Sequence, residues 1–216
     1  MKSIFVCALA VMALTVGCGG EDGTVRLAIN WQFPSGDCAS YGVWRVRVTI
    51  TPEAGEKKTS EFACGVGRGD MGLFRPGTYG ILAEGLNGTG KVVAQNLGTA
   101  VTFGESGLSG DLPVGMLRTA DMVVTWKMSN GGNCPPDVQL PYFITIYRPP
   151  GTVGGAITEK VREIQESCAT GSATLVSFVP GRYIIELDSR AETPKVMGTK
   201  DVWLKEGEKA QFAFQF

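Results

Sequence analysis

Cysteine, not histidine, is the reactive side chain of this chain: its 216 residues hold six cysteines and no histidine. Without imidazole there is no histidine general acid–base catalysis, no Ser-His-Asp or Cys-His triad and no common zinc site. No Gly-x-Ser-x-Gly elbow and no Ser-x-x-Lys occur. Carboxylates can work without histidine, and Glu105 and Glu206 hold matching places in the chain. Each adjoins a glycine, the setting of a solvated turn at a strand end. Asp37 and Asn133, each just before a cysteine, read as Asx-type turn residues, because a calcium site needs six or more oxygens. The stretch Gly65-Val66-Gly67-Arg68-Gly69-Asp70 lacks the third-glycine spacing of a dinucleotide loop. It contains Arg-Gly-Asp, a tripeptide that integrin ligands display, and reads as a flexible surface turn. No catalytic residue, metal or cofactor is expected. A formal charge of −1 argues against nucleic acid as a partner.

Cys7 and Cys18 lie in or beside the apolar N-terminal stretch, leaving Cys38, Cys64, Cys134 and Cys168. An even number in an exported chain reads as two disulfides. Counting alone allows three pairings.

Export is read from the N-terminus. Lys2 precedes an apolar run, Ile4 to Val16, interrupted only by Thr15. A membrane span needs about 20 residues, and this run has the shorter length of a signal-peptide core. It ends Leu14-Thr15-Val16-Gly17-Cys18. This segment resembles the lipobox of bacterial lipoproteins, with one departure: Thr15 stands where leucine is usual, and Leu14 is one place further back. The resemblance implies a leader over 1–17, diacylation of the Cys18 sulfur, cleavage before it and acylation of the new amino terminus. The lipid bilayer is then a partner through Cys18, and residues 18–24 are the lipidated cysteine and a glycine-rich tether. Gly19, where an aspartate would retain a lipoprotein at the inner membrane, implies an outer-membrane location.

Behind the tether the chain repeats. Trp31 precedes Ser-Gly-Asp-Cys38, and Trp126 precedes Gly-Gly-Asn-Cys134. Phe74-Arg75-Pro76-Gly77-Thr78-Tyr79 is echoed by Phe178-Val179-Pro180-Gly181-Arg182-Tyr183, and in both halves the second cysteine stands 12 residues before the proline. Phe103-Gly104-Glu105 matches Leu204-Lys205-Glu206. A period near 100 residues is a whole domain rather than a solenoid unit. The duplication selects Cys38–Cys64 and Cys134–Cys168 as the pairs.

The elements that must hold these residues read as strands. Val25, Leu27, Ile29, Trp31 and Phe33 alternate with polar or small residues, and Met122, Val124, Trp126 and Met128 alternate with Val123, Thr125 and Lys127. Trp44, Val46, Val48 and Ile50 keep the same period, matched by Leu140, Tyr142, Ile144 and Ile146, and Phe212, Phe214 and Phe216 close the chain. Period two with one apolar face is a half-buried strand. Glycine and proline punctuate the runs at sandwich spacing. Ile157–Ser167 reads as a strand with an irregular lead-in, with a short helix as the alternative, because Ile157, Val161 and Ile164 have helical spacing. The expected fold is all-β: two tandem immunoglobulin-like or prealbumin-like Greek-key β-sandwiches, repeat 1 over 25–115 and repeat 2 over 121–216, joined near Leu112–Ala120. In Pro-Gly-x-Tyr, proline presets φ, glycine supplies the turn, and the tyrosine hydroxyl is placed to bond backbone. The element resembles the turn-strand segment of prealbumin-like and carboxypeptidase-regulatory-like sandwiches, which implies an accessory role in packing, spacing or binding. Some Gram-positive relatives carry Lys–Asn isopeptide staples; the first strand here offers Arg26 and no lysine.

Trp31, Trp44 and Trp126 fall on the inward parity and are expected in the core. Trp203 aligns with outward Thr102, and Tyr147 with outward Thr51, so the two form a candidate binding patch confined to repeat 2. The expected function is that of a membrane-anchored, non-enzymatic envelope lipoprotein serving as an interaction or scaffolding module, with an envelope protein or glycan as partner. A carbohydrate-binding lipoprotein using Trp203 and Tyr147 is one alternative. A carboxylate-based hydrolase is the other.

Overall fold

Alternating burial along each apolar run gives strands, and a computed structural model places them in two β-sandwiches. It describes residues 23–103, 110–135, 139–149, 159–193 and 195–216. The leader, Cys18, most of the tether, Gly104, Glu105 and Ile157 lie outside the described residues. The chain divides after Met116, and Leu117 opens the second unit. Leu112 belongs to the last strand of unit 1 rather than to a linker.

Unit 1 contains β1 (Val25–Gln32), β2 (Arg45–Pro52), β3 (Lys58–Ala63), β4 (Arg68–Phe74), β5 (Gly77–Leu86), β6 (Val92–Gln95), β7 (Thr99–Phe103) and β8 (Gly110–Gly115). One sheet runs β4-β1-β8, with β1 antiparallel to β4 and parallel to β8. The other holds β3-β2-β5, with β6 and β7 pairing successive parts of β5. Asn96 bridges the break between β6 and β7. Its Oδ1 accepts from Ala83 N–H at 2.9 Å, and its Nδ2 donates to Ile81 O at 3.1 Å. A side chain thus takes over where backbone pairing lapses, which satisfies two buried backbone groups of β5.

Unit 2 begins with the two-residue β9 (Leu117–Arg118) and repeats the plan: β10 (Ala120–Lys127), β11 (Pro141–Arg148), β12 (Glu159–Ser167), β13 (Ser172–Phe178), β14 (Gly181–Asp188), β15 (Met197–Leu204) and β16 (Lys209–Gln215). Its sheets run β13-β10-β16 and β12-β11-β14-β15, again with the first long strand parallel to the last. The first long strand of each unit, β1 or β10, therefore pairs the fourth strand counted from it and the last. In the immunoglobulin order it shares a sheet with the second. The segment for which a short helix is the alternative is strand from Glu159 onward: β12 pairs antiparallel with β11 from Arg148↔Glu159 to Pro141↔Ser167, with one bulge at Val161.

Each unit closes its own core. In unit 1 Leu27, Ile29 and Trp31 meet Val46, Val48, Ile50 and Ile81; in unit 2 Met122, Val124 and Trp126 meet Tyr142, Ile144, Ile185 and Leu204. The alternation read from the sequence supplies one buried face per sheet, and stacking the two faces removes both from water.

Candidate functional site

The repeated motifs that look most like chemistry form a structural corner in each unit. Cys38 is bonded to Cys64, and Cys134 to Cys168. The second cysteine of each pair opens a single 3-10 turn, Cys64–Val66 or Cys168–Thr170, which ends on a glycine in the left-handed region: Gly67 at φ 71° and Gly171 at φ 66°. The cysteine carbonyl accepts twice. Gly67 N–H reaches Cys64 O at 3.0 Å and Trp31 Nε1–H reaches it at 2.8 Å; Gly171 and Trp126 do the same to Cys168 O at 3.2 and 2.8 Å. The indoles of Trp31 and Trp126 are thus bonded, buried parts of the core. Pro-Gly-x-Tyr is equally structural. Tyr79 donates to Arg75 O at 2.8 Å and Tyr183 to Val179 O at 2.6 Å, each four residues back.

The polar candidates are also accounted for. Asp37 accepts from the N–H of Ser40, three residues on, at 2.9 Å, and that bond holds its carboxyl below the usual range. Asn133 instead donates to Ala169 O at 3.2 Å. Glu206 accepts from Arg118 N–H at 3.0 Å. Arg68-Gly69-Asp70 is not a turn. It opens β4, where Gly69 is buried, Arg68 pairs with Asp111 at 3.1 Å and Asp70 pairs with Arg26. Strand pairing on β1 overrides the turn expectation: both charges are spent across the sheet, and the tripeptide is not looped out.

Trp44 departs from the sequence reading. It belongs to the inward parity but is 73% exposed. The strand proper starts at Arg45, and the preceding Val43 takes the buried place at 4% exposure. Two apolar residues in succession, Val43-Trp44, were the signal that the alternation shifts there.

Trp203 and Tyr147 lie on the outward face of the unit 2 sheet β12-β11-β14-β15. Trp203 is 64% exposed on β15, an edge strand of that sheet, and Tyr147 is half-buried on β11. Register fixes their relation. Tyr147 stands opposite Ile184, Ile184 opposite Asp201, and Trp203 opposite Arg182. The two rings share a face but are two strands and one register step apart, about 10 Å across the sheet by strand spacing alone. Between them lie Ile184 and an ion pair the sequence did not reveal: Arg182 Nε donates to Asp201 Oδ1 at 2.9 Å, and its Nη2 also engages the carboxylate. The guanidinium holds the Asp201 carboxyl below the usual range. Further along the face Glu163 accepts from Arg190 at 2.6 Å and from Thr145 at 3.2 Å, while the Arg190 guanidinium lies 3.9 Å from the centre of the Phe143 ring. Met197, 54% exposed, completes the edge. The face is thus an exposed aromatic and a thioether set among paired charges. That composition suits contact with another surface.

Each unit also has an open hollow beside its cystine. The one in unit 1, about 750 Å³, is lined by Trp31, Phe33, Asp37 and Cys38; the one in unit 2, about 540 Å³, by Trp126, Asn133, Gln211 and Phe214.

No family model matches the chain, and no curated protein matches it. Among solved structures it is similar to the Bacillus anthracis TIE protein, at 15% identity and a TM-score of 0.34; the match covers 89% of this chain and spans 34% of that protein's length. It is similar to a fimbrial assembly protein from Parabacteroides distasonis, at 6% identity and a TM-score of 0.35, covering 88% of this chain and 90% of that one. It is also similar to the fimbrial anchor protein Mfa2 from Porphyromonas gingivalis, at 13% identity and a TM-score of 0.31, covering 82% of each.

Proposed function

We propose that the chain is a non-enzymatic interaction module of the bacterial envelope, lipid-tethered through Cys18 at the outer membrane and making contact through the outward sheet face of unit 2. The observation that carries the contact surface is Trp203, 64% exposed on an edge strand beside the Arg182–Asp201 pair. An indole left in water forgoes the gain of burial, and tryptophan and arginine dominate the energetic centres of protein interfaces. The tether is carried by the lipobox resemblance at Cys18. Site-specific photo-crosslinking in living cells tests the surface. A benzophenone side chain at position 203 should give a discrete adduct, and the same group at exposed Thr174, on the other sheet of the unit, should not. Equal labelling at both positions, or none at 203, removes this face from the proposal.

A saccharide is the second reading for this face. Trp203 offers a stacking surface, and Arg182 and Asp201 offer donors and acceptors one strand away. Glycan-array binding that disappears in Trp203→Ala supports it. Binding indifferent to Trp203 does not.

A further inference from the structure

The two cystines are equivalent by duplication but not by surroundings. In each pair the second cysteine, Cys64 or Cys168, is fully buried, and the first, Cys38 or Cys134, is half-buried. Exposure of the residues therefore does not separate the bridges; what lies over them does. In unit 2 the residue before the first cysteine, Asn133, crosses to the 3-10 turn. Its Nδ2 donates to Ala169 O at 3.2 Å, and a Cβ built at Gly171 would lie 2.5 Å from that Nδ2 and 2.8 Å from Cγ. The amide is thus seated on the glycine that ends the turn, and neither Cys134 nor Cys168 lines the hollow of that unit.

In unit 1 the matching residue turns away. Asp37 is bonded to Ser40 instead: its Oδ1 accepts from Ser40 N–H at 2.9 Å, and its own N–H donates to Ser40 Oγ at 2.9 Å. The space above the turn is left bare. Apart from its chain neighbours, a Cβ built at Gly65 or at Gly67 would meet nothing within 4 Å. Cys38 and Cys64 both line the resulting hollow of about 750 Å³, together with Gly36, Gly65 and Gly67.

We propose that Cys38–Cys64 is a thiol–disulfide exchange site, whereas Cys134–Cys168 is a permanent staple. A disulfide is opened by a thiolate that reaches one of its sulfurs, and the hollow gives that approach to Cys38, the less buried of the pair. The incoming thiolate forms a bond to Cys38 Sγ as the Cys38–Cys64 bond breaks, and Cys64 leaves as a thiolate that takes a proton from water. A second thiolate then attacks the mixed disulfide at the reductant sulfur. Cys38 leaves and is protonated in turn, so both cysteines end as thiols and the two reductant sulfurs end as a disulfide. Charge selects the reagent. The Asp37 carboxylate lines the hollow and, among the described residues, no cation does, so a neutral or cationic thiol is favoured over an anionic one. Opening the bridge frees a loop of 26 residues, which removes the constraint on unit 1 and leaves unit 2 stapled. The inference does not rest on the face carrying Trp203.

Differential reduction of the full-length protein, in detergent and without denaturant, tests the site. The reductants are 2-mercaptoethanol, a neutral small thiol, and reduced thioredoxin, a protein dithiol. Freed cysteines are trapped with iodoacetamide over time and located by peptide mass mapping. Cys38 and Cys64 should be trapped about tenfold or more faster than Cys134 and Cys168. Gly65→Leu puts a side chain into open space at the hollow, at a position without a left-handed φ. It should slow reduction of Cys38–Cys64, whereas a mere loosening of the fold would speed it. Asn133→Ala should speed reduction of Cys134–Cys168 and leave Cys38–Cys64 unchanged. Reduction by both reagents supports the site with a protein dithiol as a competent source; reduction by 2-mercaptoethanol alone supports it for small thiols. The proposal is overturned if neither reagent opens Cys38–Cys64, if the two bridges open at one rate, if Cys134–Cys168 opens first, or if Gly65→Leu is reduced as fast as wild type.

Discussion

The four tryptophans divide by what their indole N–H and ring faces meet. Trp31 and Trp126 donate to cysteine carbonyls inside the core, while Trp44 and Trp203 stand in water. Acrylamide should therefore quench roughly half of the tryptophans, and a Trp44→Phe, Trp203→Phe double variant should lose the quenchable component. Emission that stays quenchable in the double variant would place Trp31 or Trp126 at the surface. Trp126→Phe keeps the apolar ring but removes a buried bond, so it should cost about 1–3 kcal/mol in urea unfolding. Tyr142 behaves oppositely. Its hydroxyl is buried with no hydrogen-bond partner among the described residues, and burial pushes its pKa up. Tyr142→Phe discards an unpaired polar group and should leave stability unchanged or raise it by about 1 kcal/mol; a loss of more than that would reveal a partner for the hydroxyl.

At the scale of elements, cross-strand charge pairs set the response to acid. Hydrogen bonds from Arg26, Arg182 and Arg190 hold Asp70, Asp201 and Glu163 below their ordinary values. A carboxylate whose folded pKa is depressed stabilises the fold above its unfolded value, about 3.9 for Asp and 4.3 for Glu. That contribution is lost as the pH falls through the lower folded value. Stability should therefore decline below about pH 4, with a shallow slope because these pairs are solvent-exposed. Arg182→Gln should flatten that acid limb in urea titrations run at successive pH values, and an unchanged limb would mean the pair contributes nothing. The bulges facing the first strands give a second test. Unit 1 places Gly72 at φ 87° there, whereas unit 2 uses Ser177 at φ 65°, with its N–H on Asp121 Oδ1 at 3.0 Å. A left-handed non-glycine residue costs about 1–2 kcal/mol, so Ser177→Gly should stabilise unit 2 by up to that amount in thermal unfolding. Alternation along the strands was legible in the sequence. These bulges were not, because a bulge exists only once a partner strand is in place.

The whole molecule is two separately cored units, each with one disulfide inside its own boundary. In the loop-entropy account, bridges closing 26 and 34 residues contribute about 3.5–4 kcal/mol each. Replacing Cys134 and Cys168 together with serine should lower the calorimetric transition of unit 2 and leave that of unit 1 in place. A single transition shifted as one would show that the units unfold together. Anchoring belongs to the same scale. Cys18→Ser should abolish labelling by a palmitate analogue and detergent partitioning; a wild type that takes no label and stays soluble would refute the tether.

Sequence alone determined what depends on local order. Period-two alternation decided strand against helix for nearly every run, because a strand's two faces differ in burial residue by residue. Internal repetition of Trp, Cys and Pro-Gly-x-Tyr announced two copies of one plan. Even there, Ile157–Ser167 stayed open between strand and helix until pairing with β11 settled Glu159 onward. Tertiary structure decided everything that depends on register or on where a strand begins. Trp44 keeps the inward parity yet projects into water, because β2 starts one residue later and Val43 fills the core. Arg182 and Asp201 are 19 positions apart in sequence and meet only through the register of β14 on β15. The charges of Arg68-Gly69-Asp70 are consumed across the sheet by partners, Asp111 and Arg26, that no short stretch of sequence could name. Which residues face water together is set by which strands lie side by side, and that is a property of the closed sandwich, not of any one strand.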